Sequence, residues 1–233
     1  MNFPTLISGR FIKRYKRFFA DILLDDGQIV IAHCPNTGSM RGLLEDNARV
    51  WISTSDNPKR KLKFTWELIE IDQQHLVCIQ TNRANKIVQE GINNNVVAEL
   101  TGYKTILTEQ KYGSEKSRID LLLKDHSEFA DAYVEVKNVT LYEDGQGYFP
   151  DSVTTRGHKH LRELIEMKQL GFRSILLFHV AHDGINDVKA ASFIDDVYAD
   201  LLSKAQEAGV EVLAYKSNIS PTEIKLNKRI STS

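Results

Sequence analysis

Asp120 and the triplet Glu135-Val136-Lys137 are separated by fourteen intervening residues and lie in two apolar runs, residues 117–123 and 131–139. Both runs read as short buried strands. Successive side chains on a strand point to opposite faces, so Glu135 and Lys137 project together while Val134 and Val136 go to the other side. If the strand carrying Asp120 pairs beside them, two carboxylates and an ammonium group converge. Such a set suits a divalent cation held against a phosphodiester, with Asp120 and Glu135 as hard oxygen ligands for Mg²⁺ or Mn²⁺. Lys137 then positions or activates the attacking water, or stabilises charge on the phosphoryl oxygens. The competing account is a solvated Glu–Lys pair on a sheet edge. Charges embedded in Ile-Asp-Leu-Leu-Leu and Tyr-Val-Glu-Val-Lys are costly to bury unless paired or metal-bound, which favours a site.

Two kinds of element must position these groups. The first eighty or so residues carry β-type segments at 9–24, 28–33, 49–54, 64–71 and 75–80, with turn signals at Asp25-Asp26-Gly27 and Asp72-Gln73-Gln74. Five strands in that length suit a small closed barrel of OB or SH3-like type. From Thr81 the pattern changes. Asn82 reads as the N-cap of a helix over 83–93, followed by strands at 104–108, 118–123 and 132–139. A long helix over 155–170 stops at Gly171, a strand spans 174–180, a helix over 195–208 stops at Gly209, and a last strand covers 210–215. The tail after Asn218 is polar and reads as loose.

Basic residues gather in the N-terminal third. Up to residue 82 there are eleven basic and nine acidic residues, against nineteen and twenty-two beyond it, so the basic excess is local. Arg10, Lys13, Arg14, Tyr15, Lys16 and Arg17 interleave charge with aromatic rings, which combines phosphate neutralisation with base stacking. A plain barrel strand with solvated cations would leave the same trace. Lys59, Arg60, Lys61 and Lys63 form a second cluster. The loop from Cys34 to Gly42 could offer backbone N–H groups to an anion, although its composition favours a simple turn. A stiff loop from Gly147 to Asp151 feeds a helix that puts Arg156 and His160 one turn apart, with Lys159 beside them. Cations at a helix N-terminus oppose its dipole, so Arg156 and His158 to His160 require a nearby anion, and a phosphate by the metal would serve.

Composition is that of an ordinary soluble globular chain, 42% hydrophobic and 26% charged, and 233 residues allow one large domain or two small ones. A net charge of −1 argues against a surface coated in nucleic-acid contacts. No apolar run approaches membrane-spanning length and residues 1–10 lack a signal-peptide core, so a cytoplasmic protein without membrane contact is expected. Cys34 and Cys78 have no metal-ligand spacing and read as free buried thiols.

These residues resemble known families. Asp120 followed by Glu135-x-Lys137 on the next strand is similar to the catalytic signature of the PD-(D/E)xK nuclease superfamily, with Ile119 where that signature has proline. His33-Cys34-Pro35-Asn36-Thr37-Gly38, Lys111-Tyr112-Gly113, Ser117-Arg118-Ile119-Asp120, Tyr133-Val134-Glu135-Val136-Lys137 and the segment from Gly147 to Gly157 resemble the sugar fermentation stimulation proteins of bacteria and archaea. The likeness runs over nearly the whole chain. It implies an α/β (α+β) protein: a five-stranded OB-like barrel over residues 1–81, then a restriction-endonuclease-like αβββαβ domain with a mixed sheet over residues 82–233. It further implies DNA, single- or double-stranded, as partner, with RNA left open, and products bearing a 5′-phosphate. The superfamily often supplies another ligand from the first helix, which points to Glu90, with Glu99 and Glu109 in competition. The family's usual description is a non-specific DNA-binding factor with a regulatory part in sugar (maltose) metabolism, and that needs no nuclease step. Two converging acids repel phosphate, so their presence with Lys137 favours catalysis over binding alone. A third account makes the barrel the reader and the second domain a dimerisation scaffold, hence a homodimer.

Overall fold

The computed structural model describes residues 1–143 and 145–233. The chain opens with β1 (Ile7–Tyr15), β2 (Phe19–Leu24), β3 (Ile29–His33), β4 (Arg49–Thr54), β5 (Phe64–Ile71) and β6 (His75–Cys78). β1 pairs antiparallel with β2 and β4, β2 with β3, and β4 with β5. β3 closes the ring on β5 in parallel, through Ala32 with Phe64 and His33 with Thr65. The result is a closed five-stranded OB-type barrel, as expected. Its interior is filled by Phe11, Ile22, Ile52, Trp66 and Ile69, with the Phe11 and Trp66 rings stacked at 5.1 Å.

Two strand assignments change. Residues 9–24 form two strands, because Lys16 and Arg17 take positive φ (49° and 62°) and reverse the chain in the left-handed pair that a tight hairpin uses. Neither residue is a usual turn former, so composition carried no signal there. β6 lies outside the ring, folded back on β5 through Asp72 and Gln73.

The second domain contains α1 (Ala84–Asn93), β7 (Thr105–Tyr112), β8 (Ser117–Lys124), β9 (Ala132–Val139), β10 (Leu141–Glu143), β11 (Gln146–Phe149) and α2 (Thr155–Gln169). It continues with β12 (Arg173–Val180), β13 (Asp187–Ala190), α3 (Asp196–Glu207), β14 (Glu211–Ile219) and β15 (Ile224–Thr232). One mixed sheet runs β10-β11-β13-β15-β14-β12-β9-β8-β7. β9 and β12 run parallel inside the sheet, and β12 is buried on both faces, which explains its almost continuous apolar run. Ile175 and Leu177 of β12 pack with α1, and Leu176 and Phe178 pack with α2 and α3.

Asn82 does not cap α1. A single 3-10 turn, Thr81–Arg83, leads into the helix, and Arg83 at the cap position makes no side-chain cap bond. Of the stiff loop expected over 147–151, residues 147–149 lie instead in strand β11, which pairs with β10. The polar tail is strand β15, held between β14 and β13, with Ile224 and Leu226 buried beneath α1. Gly91 of α1 permits that contact, since a Cβ there would lie 2.5 Å from Leu226 Cδ2. Among the described residues no helix is long and apolar enough to cross a membrane, and both thiols are buried and unpaired.

The domains are joined by more than a linker. Leu68 and Cys78 of the barrel share a core cluster with α1, and the Cys78 N–H donates to the Ala181 carbonyl at 2.9 Å. Asp151 accepts the Ser39 hydroxyl at 3.0 Å and the Met40 N–H at 3.1 Å. Gly38 is required by this approach, since a Cβ there would come 2.8 Å from Asp151 Oδ2.

Candidate active site

The carboxylates meet where two strands part. β8 and β9 pair from Leu123 with Ala132 to Leu121 with Val134, and beyond that point the ladder ends. Asp120 is the next residue of β8 and Glu135 the next of β9. The Val136 N–H, deprived of a strand partner, donates to Asp120 Oδ2 at 2.8 Å, and Asn85 Nδ2 of α1 donates to Oδ1 at 2.8 Å. The Asp120 side chain thus completes the backbone bonding at the fork and is held by it.

Glu135 is 2% exposed. Its Oε1 accepts from Lys137 Nζ at 2.7 Å and from His160 Nδ1 of α2. Arg156 Nε donates to His160 Nε2 at 3.3 Å, which leaves Nδ1 as the ring's donor to Glu135. Glu135 Oε2 is buried without a hydrogen-bond partner among the described residues. Such an orphan carboxylate oxygen is costly, and a cation or a bound water satisfies it.

The two acids are unlike. Burial, and then the Glu135 charge, push Asp120 up to about 6. Burial also pushes Glu135 up, but Lys137 and His160 outweigh it and hold the group below its ordinary value. Burial and the neighbouring Glu135 and Glu163 carboxylates raise the Tyr112 phenol. Glu135 is the fixed negative charge of the site, and Asp120 is the group whose ionisation a cation would most favour.

The remaining expected residues are distributed differently. Glu90 is not brought to the pair: its carboxylate lies 3.0 Å from the Met1 ammonium group, and Asn85 is the α1 side chain at the site. Glu99 accepts from Tyr215 at 2.6 Å and pairs with Arg229, while Glu109 is an exposed β7 residue with a positive φ of 55°. His160 is buried against Glu135 and is no open phosphate clamp. The anions required by the first turns of α2 are protein carboxylates, Glu135 for His160 and Asp195 for His158, the latter at 2.8 Å. Lys159 donates to the Glu115 carbonyl, and Arg156 reaches His160 from an exposed position.

On the barrel, Arg14 is a fastener. It donates to the Asn36 and Gly38 carbonyls at 2.9 and 3.0 Å and so pins the loop after β3. Arg10 donates to the Asn47 carbonyl, and Lys13 lies 3.5 Å from Asp21 with its amine over the Tyr15 ring. Tyr15 stacks on Phe19 at 5.4 Å. Lys16 and Arg17 stand exposed at the β1–β2 turn. The fold brings this turn to the β4–β5 loop, where Phe18, Phe19, His33, Arg60, Lys61 and Leu62 line a groove of about 410 Å³. The second basic cluster thus lines the groove through Arg60 and Lys61, and the first adjoins it through Phe18 and Phe19, next in the chain to Lys16 and Arg17. Asn85 and Glu163 carry no sequence signal, since each gains its role only through a partner on a distant element, whereas Asp195 caps α3 locally and also accepts the distant Thr154 N–H.

Two family models divide the chain: "Sugar fermentation stimulation protein RE domain" matches residues 82–223, and "SfsA N-terminal OB domain" matches residues 12–79. The chain belongs to the sugar fermentation stimulation protein family. Curated sugar fermentation stimulation protein homologs support this at high identity. That of Shewanella loihica is 56% identical over 225 residues, covering 97% of this chain and 96% of the relative. That of Pseudoalteromonas atlantica is 52% identical over 228 residues, covering 98% and 97%. The solved structure of Pyrococcus furiosus SfsA in complex with Ca²⁺ superposes with a TM-score of 0.88 at 26% identity, covering 100% of this chain and 98% of that one. The barrel and the larger sheet together are thus shared by this chain and that relative.

Proposed function

We propose that the protein binds nucleic acid, DNA in the first instance, and hydrolyses phosphodiesters at Asp120, Glu135 and Lys137 with Mg²⁺ or Mn²⁺. The observation that carries this reading is the strand fork, where the buried Glu135 and the half-buried Asp120 come together and Glu135 Oε2 lacks a partner among the described residues. Among those residues no group of three or more His, Cys, Asp or Glu side chains forms a ligand cage. That donor set fits Mg²⁺ or Mn²⁺, since Mg²⁺ usually takes one or two carboxylates and completes its shell with water and substrate phosphate. The archaeal relative's complex with Ca²⁺, another oxygen-seeking cation, supports the same chemistry here. When bound, the metal supplies Lewis-acid charge to the phosphoryl oxygens. Asp120 and Glu135 hold it. Lys137, fixed on Glu135 Oε1, positions the attacking water or stabilises charge on the phosphoryl oxygens. His160 keeps Glu135 oriented. The barrel groove holds the strand by charge and by stacking on Phe18 and Phe19.

A second reading, a non-catalytic DNA-binding factor tied to sugar metabolism, is favoured by one observation. Both Asp120 oxygens and Glu135 Oε1 already have protein partners. Incubating labelled single- and double-stranded substrates with Mn²⁺, with Asp120→Ala in parallel, separates the two. Cutting by the wild type and none by the variant supports the nuclease reading, and no cutting of any form leaves the binding factor.

A further inference from the structure

Between barrel and sheet, beside the carboxylates, lies a cleft of about 280 Å³. The barrel contributes Thr37, β9 contributes Lys137 and Asn138, the segment after it Thr140, and β11 contributes Tyr148. Its width is set by fixed contacts. Arg14 grips the loop after β3 from within the barrel, Asp151 accepts Ser39 and Met40 from the other domain, and Arg41 pairs with Glu143 at 3.3 Å.

The lining mixes neutral polar side chains with apolar ones such as Val136 and Phe149, and its charged members are Lys137 and the already engaged Asp151. Thr37, Thr81 and Thr140 add hydroxyls to the lining. Asn138 is oriented from behind: its Oδ1 lies 2.9 Å from His179 Nδ1, and His179 Nε2 lies 2.8 Å from the Ser217 hydroxyl. An amide oxygen only accepts, so Nδ1 carries the proton and Nε2 accepts from Ser217. Burial pulls the His179 imidazole down to about 4, so it is neutral at pH 7 and keeps this arrangement. The Asn138 NH₂ is then free for a ligand. Tyr148 offers a ring face, steadied edge-on by Phe193 at 5.1 Å.

A ligand that fits has one anionic end at Lys137, a neutral hydrogen-bonding body and a flat ring. The volume lies at the lower end of small-ligand sites, room for about one nucleoside and too little for a base pair. His33 borders the barrel groove and Asn36 borders the cleft, three residues or at most about 10 Å along the chain, so one strand can occupy both.

We propose that this cleft receives a single unpaired nucleotide, its phosphate at Lys137 and its base against Tyr148 and Asn138, so that frayed or single-stranded ends, not intact duplex, are the substrate. The proposal rests on the nuclease reading and narrows its substrate.

The test uses the full chain without divalent metal and two oligonucleotides carrying 2-aminopurine at the terminal nucleotide, one a blunt duplex and one with a short overhang. Wild type should bind the overhang about tenfold more tightly, the scale of one stacked base, and quench its fluorescence. Thr37→Trp, which fills the cleft, should lose the preference while melting as wild type does, and Asn138→Asp, which keeps the acceptor for His179 Nδ1 but removes the NH₂ donor, should lose it too. Equal affinity with no quenching in wild type, or a preference retained in both variants, overturns the proposal. With Mn²⁺ added, cutting inside blunt duplex as fast as at overhangs overturns it while the nuclease reading stands. Failure to bind or cut either form removes both.

Discussion

Asp120 accepts the backbone N–H of Val136 at 2.8 Å, so the first acid of the site is fastened to the strand that carries the second. Any change in the β8–β9 fork moves both carboxylates together. Mg²⁺ or Mn²⁺ should therefore raise the melting temperature of the wild type. Asp120→Ala and Glu135→Ala should each abolish the increase, as read by thermal unfolding with and without metal. An equal increase in all three proteins would place the metal elsewhere.

The raised Asp120 carboxyl gives a pH dependence of defined sign. Its value of about 6 in the fold stands above the ordinary 3.8, so between those values the native state holds the extra proton. Stability from this group falls as pH rises from about 4 to about 6, by at most about 3 kcal/mol. Asp120→Asn keeps an acceptor for the Val136 N–H and should remove that slope. Metal-free unfolding at about pH 4.5 and pH 7 measures it, and identical losses in the two proteins would contradict the assignment. Glu135 has the opposite sign: held below its ordinary value, it contributes stability above that value and loses it as pH falls through its folded value.

Lys137→Ala keeps both carboxylates and the barrel groove but removes the amine bonded to Glu135 Oε1. Metal binding and the salt-dependent hold of the barrel groove should persist, while hydrolysis falls by about two orders of magnitude, the scale of removing one transition-state charge stabiliser. Single-turnover cutting rates alongside binding titrations check this.

The basic residues of the barrel should separate into two classes. Replacing Lys16, Arg17, Arg60 and Lys61 by neutral residues should weaken DNA binding and reduce the salt slope by about 0.7–0.9 for each phosphate that is no longer neutralised. Arg14→Ala should instead lower stability, because two carbonyls of the loop after β3 lose their donor. Affinity against salt concentration, with melting curves, distinguishes the two.

Asp195 caps α3 through the Tyr198 N–H, accepts the Thr154 N–H ahead of α2 and pairs with His158. Asp195→Ala should cost about 1–3 kcal/mol, since it removes a cap and leaves buried donors unpaired. Denaturant unfolding reads the loss.

What the sequence by itself determined is what short-range geometry dictates. Alternation along one strand is enough to put Glu135 and Lys137 on a common face, and glycines at positive φ end α2 and α3 where expected. The barrel was legible from its turn signals and strand density, except where Lys16 and Arg17 made a turn without turn-forming residues. β15 was hidden because only Ile224 and Leu226 of its length are buried, too few to show alternation. The partner of each charge was decided by tertiary structure alone. Glu90 and Asn85 lie on one helix, but the way α1 packs sends the first to Met1 and the second to Asp120. His160 and Arg14, which as sequence are cations awaiting a phosphate, are committed to Glu135 and to two loop carbonyls. A charge takes whichever partner the packing of distant elements brings within about 3 Å, and local sequence holds no record of that distance.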